Sequence, residues 1–404
     1  MKRLIFLTVQ DLAVNAWPEL PLPALARRGW NITVVGVNSK LSVMGQALPY
    51  PCERFDLAPR GAGLVAYELQ VLRWLQRARF GPYDVIYLHS QALASRAALG
   101  LMGPFFGKRL VYHTHDFFDP VTHPFHAHLE GKLTRRASYF FNGEYHRGYF
   151  CRTMYNLRCP VLVVPPNLPA AWPIPGPSRE IRRLLGARTP EDVLLMLHGG
   201  WSPLRATDQL LHALALLPPR FRLVMTSNLD PNLTARLERF GVANRVVCLG
   251  QVGYGKLFSY SASADIGIML HVNNDLGNFF QAPGRLTEYM ACGLPVLASH
   301  FTGLQLLMLK FRIGLCADPA SPSEIASRII EIESARRKGE FTRDTIRRTF
   351  LESFAFDNWE SAVCDAFDAT IAAKFPDLPT VPDFGRFGAP YLESRSVVDS
   401  RGTA

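Results

Sequence analysis

Short, continuous apolar runs recur along the first 165 positions, at Leu4–Val9, Ile32–Val37, Asp84–His89, Leu110–Thr114, Tyr139–Asn142 and Val161–Val164. Runs of this length, without strict alternation, predict strands buried on both faces. Between them the spacing turns helical: Leu64, Leu69, Leu72 and Leu75 recur on one side of a helix predicted over Leu64–Arg79. Strand and helix alternating in this way predict an α/β fold, a parallel sheet with helices on both faces. The alternation stops at PPNLPAAWPIPGP, residues 165–177. Such a run makes neither a helix nor a central strand, so it reads as a linker. A second series then predicts strands at Leu194–His198, Arg222–Ser227, Arg245–Leu249, Ile266–Val272 and Val296–Ala298, with helices including Leu210–Leu217, Leu233–Arg239, Lys256–Ser263 and Ser323–Glu333.

Length agrees with two units, because 404 residues exceed what one hydrophobic core usually serves. The expected organisation is two Rossmann-like domains facing a cleft, residues 1–167 and 168–355. A closing helix within 356–375 would cross back to the first domain, and 376–404 would form a flexible tail without periodicity. Forty-four basic against 34 acidic residues leave a formal charge of +10. That excess favours anionic partners: a nucleoside diphosphate, an anionic membrane face or nucleic acid. No nucleic-acid motif accompanies it, which argues against the last. Seven cysteines without a CxxC pair suggest neither a disulfide framework nor a zinc ribbon, and fit a reducing cytoplasm. The apolar start ends at Gln10-Asp11, and Ala97–Phe106 is also too short to span a bilayer, so any membrane contact would be peripheral.

One stretch concentrates the candidate chemistry: NFFQAPGRLTEYMACGLPVLAS, residues 278–299. A helix from about Gly284 to Cys292 is bounded by Pro283, tolerated in a first turn, and Gly293, suited to a left-handed end. Its N-terminus, Pro283 to Arg285, offers free N–H groups for a diphosphate. Glu288, the one acid in an otherwise packing segment, calls for a hydroxyl, a cation or water. Diphosphate at the helix start and a polyol at Glu288 describe a nucleotide-sugar. Upstream, HGGWSPLRATDQLLHAL at 198–214 places Gly199-Gly200, which let backbone approach a ligand, before Arg205 at the head of a helix. A fixed cation there would stabilise the charge on a departing nucleoside diphosphate.

The pattern P-x-R-L-x-E-Y-M-A-x-G-L-P-V-x-A-S resembles the donor-binding helix of glycosyltransferase family 4, retaining enzymes of GT-B fold. The resemblance implies that Glu288 holds the ribose of a UDP- or GDP-sugar, and that Pro283, Gly284, Arg285 and Leu286 line the donor site with Gly199, Gly200 and Arg205. It implies no obligatory metal, and a saccharide or lipid-linked acceptor in cell-surface polysaccharide or glycolipid biosynthesis. The stretch 198–206 is similar to the family's G-G-x-S-x-x-(R/K)-G, with Ala206 in place of the last glycine. In VYHTHDFFDP, residues 111–120, His115 matches the family's acceptor-side histidine. Two departures stand out. Phe280 occupies the position of the first of the family's two acids, and VQDLAVNAWPELPLP replaces a glycine-rich loop after the first strand.

Two other classes compete. His113 and His115 form an H-x-H at a strand end, in a segment with His123, His126, His128 and His146, which suits a metal-dependent hydrolase; no second ligand group is legible in the sequence. Phe280 suits a GT-B-shaped scaffold without turnover. Aromatics and cations in 101–109 and 132–136 suit contact with a headgroup layer at the inner face of the cytoplasmic membrane.

Overall fold

The computed structural model describes residues 2–12, 19–40, 52–58, 63–89, 106–165, 168–226, 230–281 and 284–372. Pro283, most of the segment 97–106, most of the patch 101–109 and the tail 376–404 lie outside them. The apolar runs do form parallel strands. Seven make the first sheet: β1 (Lys2–Asp11), β2 (Trp30–Val37), β3 (Cys52–Asp56), β4 (Val85–His89), β5 (Leu110–Thr114), β6 (Tyr139–Asn142) and β7 (Val161–Val163), in the order β3-β2-β1-β4-β5-β6-β7. Six make the second: β8 (Val193–His198), β9 (Phe221–Thr226), β10 (Val246–Cys248), β11 (Ile266–Met269), β12 (Val296–Ser299) and β13 (Gly314–Ala317), ordered β10-β9-β8-β11-β12-β13.

Both sheets carry their most apolar strands in the middle, where both faces are covered. Leu4, Ile5, Phe6, Val85, Ile86 and Leu88 are wholly buried. The two strands absent from the sequence reading, β3 and β13, are edges. An edge buries less, so β3 can read CERFD and stay half-exposed. The helix Leu64–Phe80 corrects the predicted stripe. Its buried positions are Tyr67, Val71, Leu75 and Ala78, whereas Leu69 is 51% exposed. Tyr67 turns the stripe, because its ring buries like an apolar side chain while counting as polar by type.

Strand order reverses between β1 and β4 in the first sheet and between β8 and β11 in the second, so each sheet opens a crevice at its carboxyl edge there. The chain crosses between the sheets twice. The proline-rich segment makes the first crossing. The second runs beside it: Phe356 N–H donates to the Leu168 carbonyl at 2.9 Å, and Asp357 Oδ2 accepts from Ala170 N–H at 2.7 Å. The helix Glu360–Ala372 then packs on the first sheet. Phe367, wholly buried, touches Trp30, Tyr87 and Phe141, with centroids 6.0, 5.1 and 5.9 Å away. Burial of that ring, about 2–3 kcal/mol, outweighs the exposed Arg27–Glu360 and Arg28–Asp365 pairs, each worth at most about 1 kcal/mol. Among the described residues no helix is long and apolar enough to cross a membrane.

Candidate active site

The second crevice is made by a tyrosine. β8 and β11 pair only at Leu195–Ile266 and Met196–Gly267. Beyond that the Tyr289 hydroxyl enters the gap, donating to the carbonyls of Met196 (2.9 Å) and Ile268 (3.2 Å) and accepting from the His198 N–H at 2.9 Å. Gly267 is required beneath it, because a Cβ there would stand 2.6 Å from the Tyr289 ring. The helix Gly284–Ala291 is thereby fixed across the two strands, and Glu288, one residue earlier, is delivered to the end of β8.

Glu288 is 4% exposed and lies inside a polar chain. Its Oε2 stands 2.9 Å from His198 Nδ1 and its Oε1 accepts from the Tyr254 hydroxyl at 2.9 Å; His198 Nε2 contacts Ser261 Oγ at 2.6 Å. Burial raises the carboxyl's pKa, but the His198 and Tyr254 contacts and the Arg285 charge outweigh it, leaving the group below the usual carboxylate range. Glu288 is therefore an ionised, oriented acceptor. Its lone pairs are aimed by these partners.

Two guanidinium groups lie nearby: Arg285 acts on the Glu288 charge, and Arg205 lies near Arg285 and Tyr289. Arg205 ends the short helical turn Pro203–Arg205 and presses on Gly199, whose φ of +118° and missing Cβ make room for it. Ala206 follows in a left-handed conformation, φ 48° and ψ 38°, the backbone shape for which a glycine is the default. Arg285 directs Nη2 to His271 Nε2 at 3.2 Å, while its Nη1 and His271 Nδ1 are buried without hydrogen-bond partners among the described residues. Burial and the neighbouring Arg285 draw Arg205 down to about 10, and burial with both arginines holds His271 well below its ordinary range. No carboxylate forms an ion pair with either arginine among the described residues. Two cations, a neutral histidine and an unpaired donor in one partly buried place call for an anion with several oxygens.

The structure thus brings Arg205, Arg285 and Glu288 together with Gly199, Gly200 and Gly284 at the ends of β8 and β11. The Leu286 side chain is 2% exposed within the core, so the part of it that can face a ligand is its backbone. His198, Tyr254, Ser261, His271 and Tyr289 were not singled out from the sequence. His198 has a signal, ending a strand just before Gly199-Gly200; Tyr254 and Ser261 have none, since only the packing of their helix brings them here.

Across the cleft, His115 follows β5 and is 9% exposed, with burial and the Arg147 charge lowering its pKa to about 3, so its ring is neutral. The loop carrying Phe280 reaches toward it. Arg147 donates to the Gly277 carbonyl at 2.6 Å and to Asp116 at 3.1 Å, and Asp119 Oδ2 accepts from Leu276 N–H at 3.1 Å. Phe280 stacks on Phe150 of the first domain, centroids 5.3 Å apart. The position where the resemblance expects an acid is thus an apolar contact between the lobes.

Residues 192–334 match the family described as Glycosyl transferases group 1. The match covers about a third of the chain, the part that builds the second crevice. A D-inositol 3-phosphate glycosyltransferase from Actinosynnema mirum is 30% identical to the chain over 198 residues, covering 43% of this chain and 44% of that protein. The chain thus spans about half, or less, of the length of the curated relatives it matches. Among solved structures, a sucrose-phosphate synthase from Thermosynechococcus elongatus superposes with a TM-score of 0.72 at 16% identity, over 92% of this chain and 100% of that one. Anabaena HepE in complex with UDP-glucose superposes at 0.68 and 19% identity, over 91% and 100%. At such identities the likeness shows the fold, two Rossmann-like domains in the GT-B arrangement. The matched segment holds Arg205, Arg285 and Glu288 alike.

Proposed function

We propose that the protein is a retaining glycosyltransferase that moves a sugar from a UDP- or GDP-sugar to a saccharide or lipid-linked acceptor, in the assembly of cell-surface polysaccharide or glycolipid. The observation that carries this reading is the convergence of Arg205 and Arg285 beside the ionised Glu288 at one crevice. Glu288 would hold the ribose, the two guanidiniums the diphosphate, and the backbone at Gly199, Gly200 and Gly284 would close on the phosphates. In the transfer, the anomeric carbon–phosphate oxygen bond breaks and the bond to the acceptor oxygen forms on the same face. The acceptor proton passes to the departing phosphate, and the nucleoside diphosphate leaves. His115, neutral and at the facing edge, would orient the acceptor hydroxyl. Charge neutralisation at the donor falls to the arginines.

A peripheral contact with an anionic membrane is part of the proposal. Val121 and Phe125 are 81% and 67% exposed on the first domain, in the segment leading to the exposed cations Lys132 and Arg135. The inner face of the cytoplasmic membrane would be the place where donor and lipid-linked acceptor meet. Calorimetry with a panel of uridine- and guanosine-diphosphate sugars tests the core of the reading. At least one should bind with micromolar affinity and be consumed when an acceptor is supplied. Binding of none would overturn it, and binding without any turnover would favour the scaffold that Phe280 suggests.

A further inference from the structure

The first sheet holds polar groups that donor chemistry does not use. Register sets Thr8, His89 and His113 side by side on adjacent strands, all at or near the carboxyl edge. The two-residue period of an extended chain brings His115 to the same side as His113. The three rings lie against one another, with centroids 4.9 Å (His89–His113), 5.3 Å (His89–His115) and 4.6 Å (His113–His115) apart. One ligating atom from each falls within 4.8 Å of the others. His89 and His113 are 0% and 2% exposed. The Tyr87 hydroxyl, 2.6 Å from His113 Nδ1, and Thr8 Oγ1, 3.5 Å from His89 Nδ1, occupy one nitrogen of each ring. Both Nε2 atoms are buried with no hydrogen-bond partner among the described residues. Leaving two buried imidazole nitrogens unsatisfied costs about 1–3 kcal/mol apiece, which calls for a missing ligand rather than for packing alone.

We propose that His89, His113 and His115 form a binding site for one divalent first-row transition-metal ion, with Zn2+ the best match, at the crevice where β1 and β4 diverge. Three imidazoles without a carboxylate suit Zn2+, and Co2+ or Cu2+ as its surrogates, over the oxygen-seeking Mg2+ and Ca2+. Nitrogens bound to zinc at about 2.0–2.1 Å stand about 3.3 Å from each other, so the rings draw together by about 1.5 Å at most on binding. Tyr87 and Thr8 hold the other ring nitrogens and fix which lone pair faces the ion, as outer-shell groups do at histidine sites. The Arg147 guanidinium adds positive charge near His115, and Asp116 and the Gly277 carbonyl partly neutralise it. A fourth coordination position remains for a water or alcohol oxygen. This site goes beyond the donor reading and uses none of the donor residues; it shares only His115 with the acceptor face proposed above.

The test uses the untagged 404-residue chain, stripped with a chelator and titrated with Zn2+ and with Co2+. One ion per chain should bind, the Co2+ form showing the intense visible bands of a tetrahedral site. His89→Ala and His113→Ala should each abolish stoichiometric binding, Tyr87→Phe should weaken it by about 10-fold or more, and His126→Ala should leave it unchanged. Thermal melts and nucleotide-sugar calorimetry on the same variants establish that they fold and keep the donor site, so that loss of metal is not loss of structure. Absence of stoichiometric binding in the parent chain, or its persistence in folded His89→Ala and His113→Ala, overturns the proposal.

Discussion

The two crevices of this molecule are built alike and finished differently. In the second sheet the strands part around Tyr289, and the buried carboxylate there has protein partners on both oxygens, from His198 and Tyr254. What stands without an ion pair among the described residues is cationic: Arg205 and Arg285, partly buried. In the first sheet, among the described residues, the unsatisfied groups at the strand ends include neutral imidazole nitrogens on His89 and His113. The contrast teaches that one fold can present an anion hole on one side of a cleft and a lone-pair cluster on the other, the first set by helix starts that follow the strands and the second by the strand ends themselves.

The comparison breaks first at the arginines. Arg205→Ala should reduce transfer by about 100-fold or more, read as turnover with saturating acceptor, because a fixed charge at the leaving group is worth about 3–4 kcal/mol. Retention of full turnover would place the anion hole elsewhere. The first domain offers the next largest effect, in stability. Glu130 is wholly buried, and although the Tyr112 and Tyr155 hydroxyls and the Phe118 N–H donate to it, burial dominates and lifts its carboxyl from 4.5 to about 7. With the folded pKa above the unfolded one, the stability it contributes is fully present below pH 4.5 and is lost as pH rises to about 7. Parent protein should therefore lose about 3 kcal/mol across that window relative to Glu130→Gln, measured by urea unfolding at several pH values. Parallel profiles for the two proteins would count against it.

A smaller effect sharpens the second crevice. Tyr289→Phe should cost about 1–3 kcal/mol, since it strips the His198 N–H of its acceptor. It should also weaken donor binding through displacement of Glu288; a stability loss with unchanged donor affinity would separate the wedge from the site. The smallest is Ala206→Gly. The left-handed backbone there costs an L-residue about 1–2 kcal/mol, which relief would offset against added chain entropy. Thermal melting should find the variant equal to the parent or up to about 1 kcal/mol more stable, and a clear loss would mean the conformation is not strained.

Much of this arrangement was legible before any coordinates. Central strands announced themselves because burial on both faces demands uninterrupted apolar side chains, and Glu288 stood out as a charge in a segment with no other use for one. Arg205 and Arg285 followed from the same reasoning about helix starts and leaving groups. The edge strand Cys52–Asp56 was silent, since an edge lets polar residues remain. His89 was silent for another reason. It reads as the last residue of an apolar run, and only the register β1-β4-β5 sets it beside His113. Tyr289 looked like packing because the hydroxyl's task depends on where two strands separate, a property of the sheet and not of the motif.

The paired crossings near Leu168 and Phe356 limit how the lobes can move. A single connection would act as a swivel. Two adjacent chains, bonded to one another, act as a door hinge, favouring opening and shutting about one axis while resisting torsion. The Glu288 face and the His115 face would then meet at the same alignment on every closure.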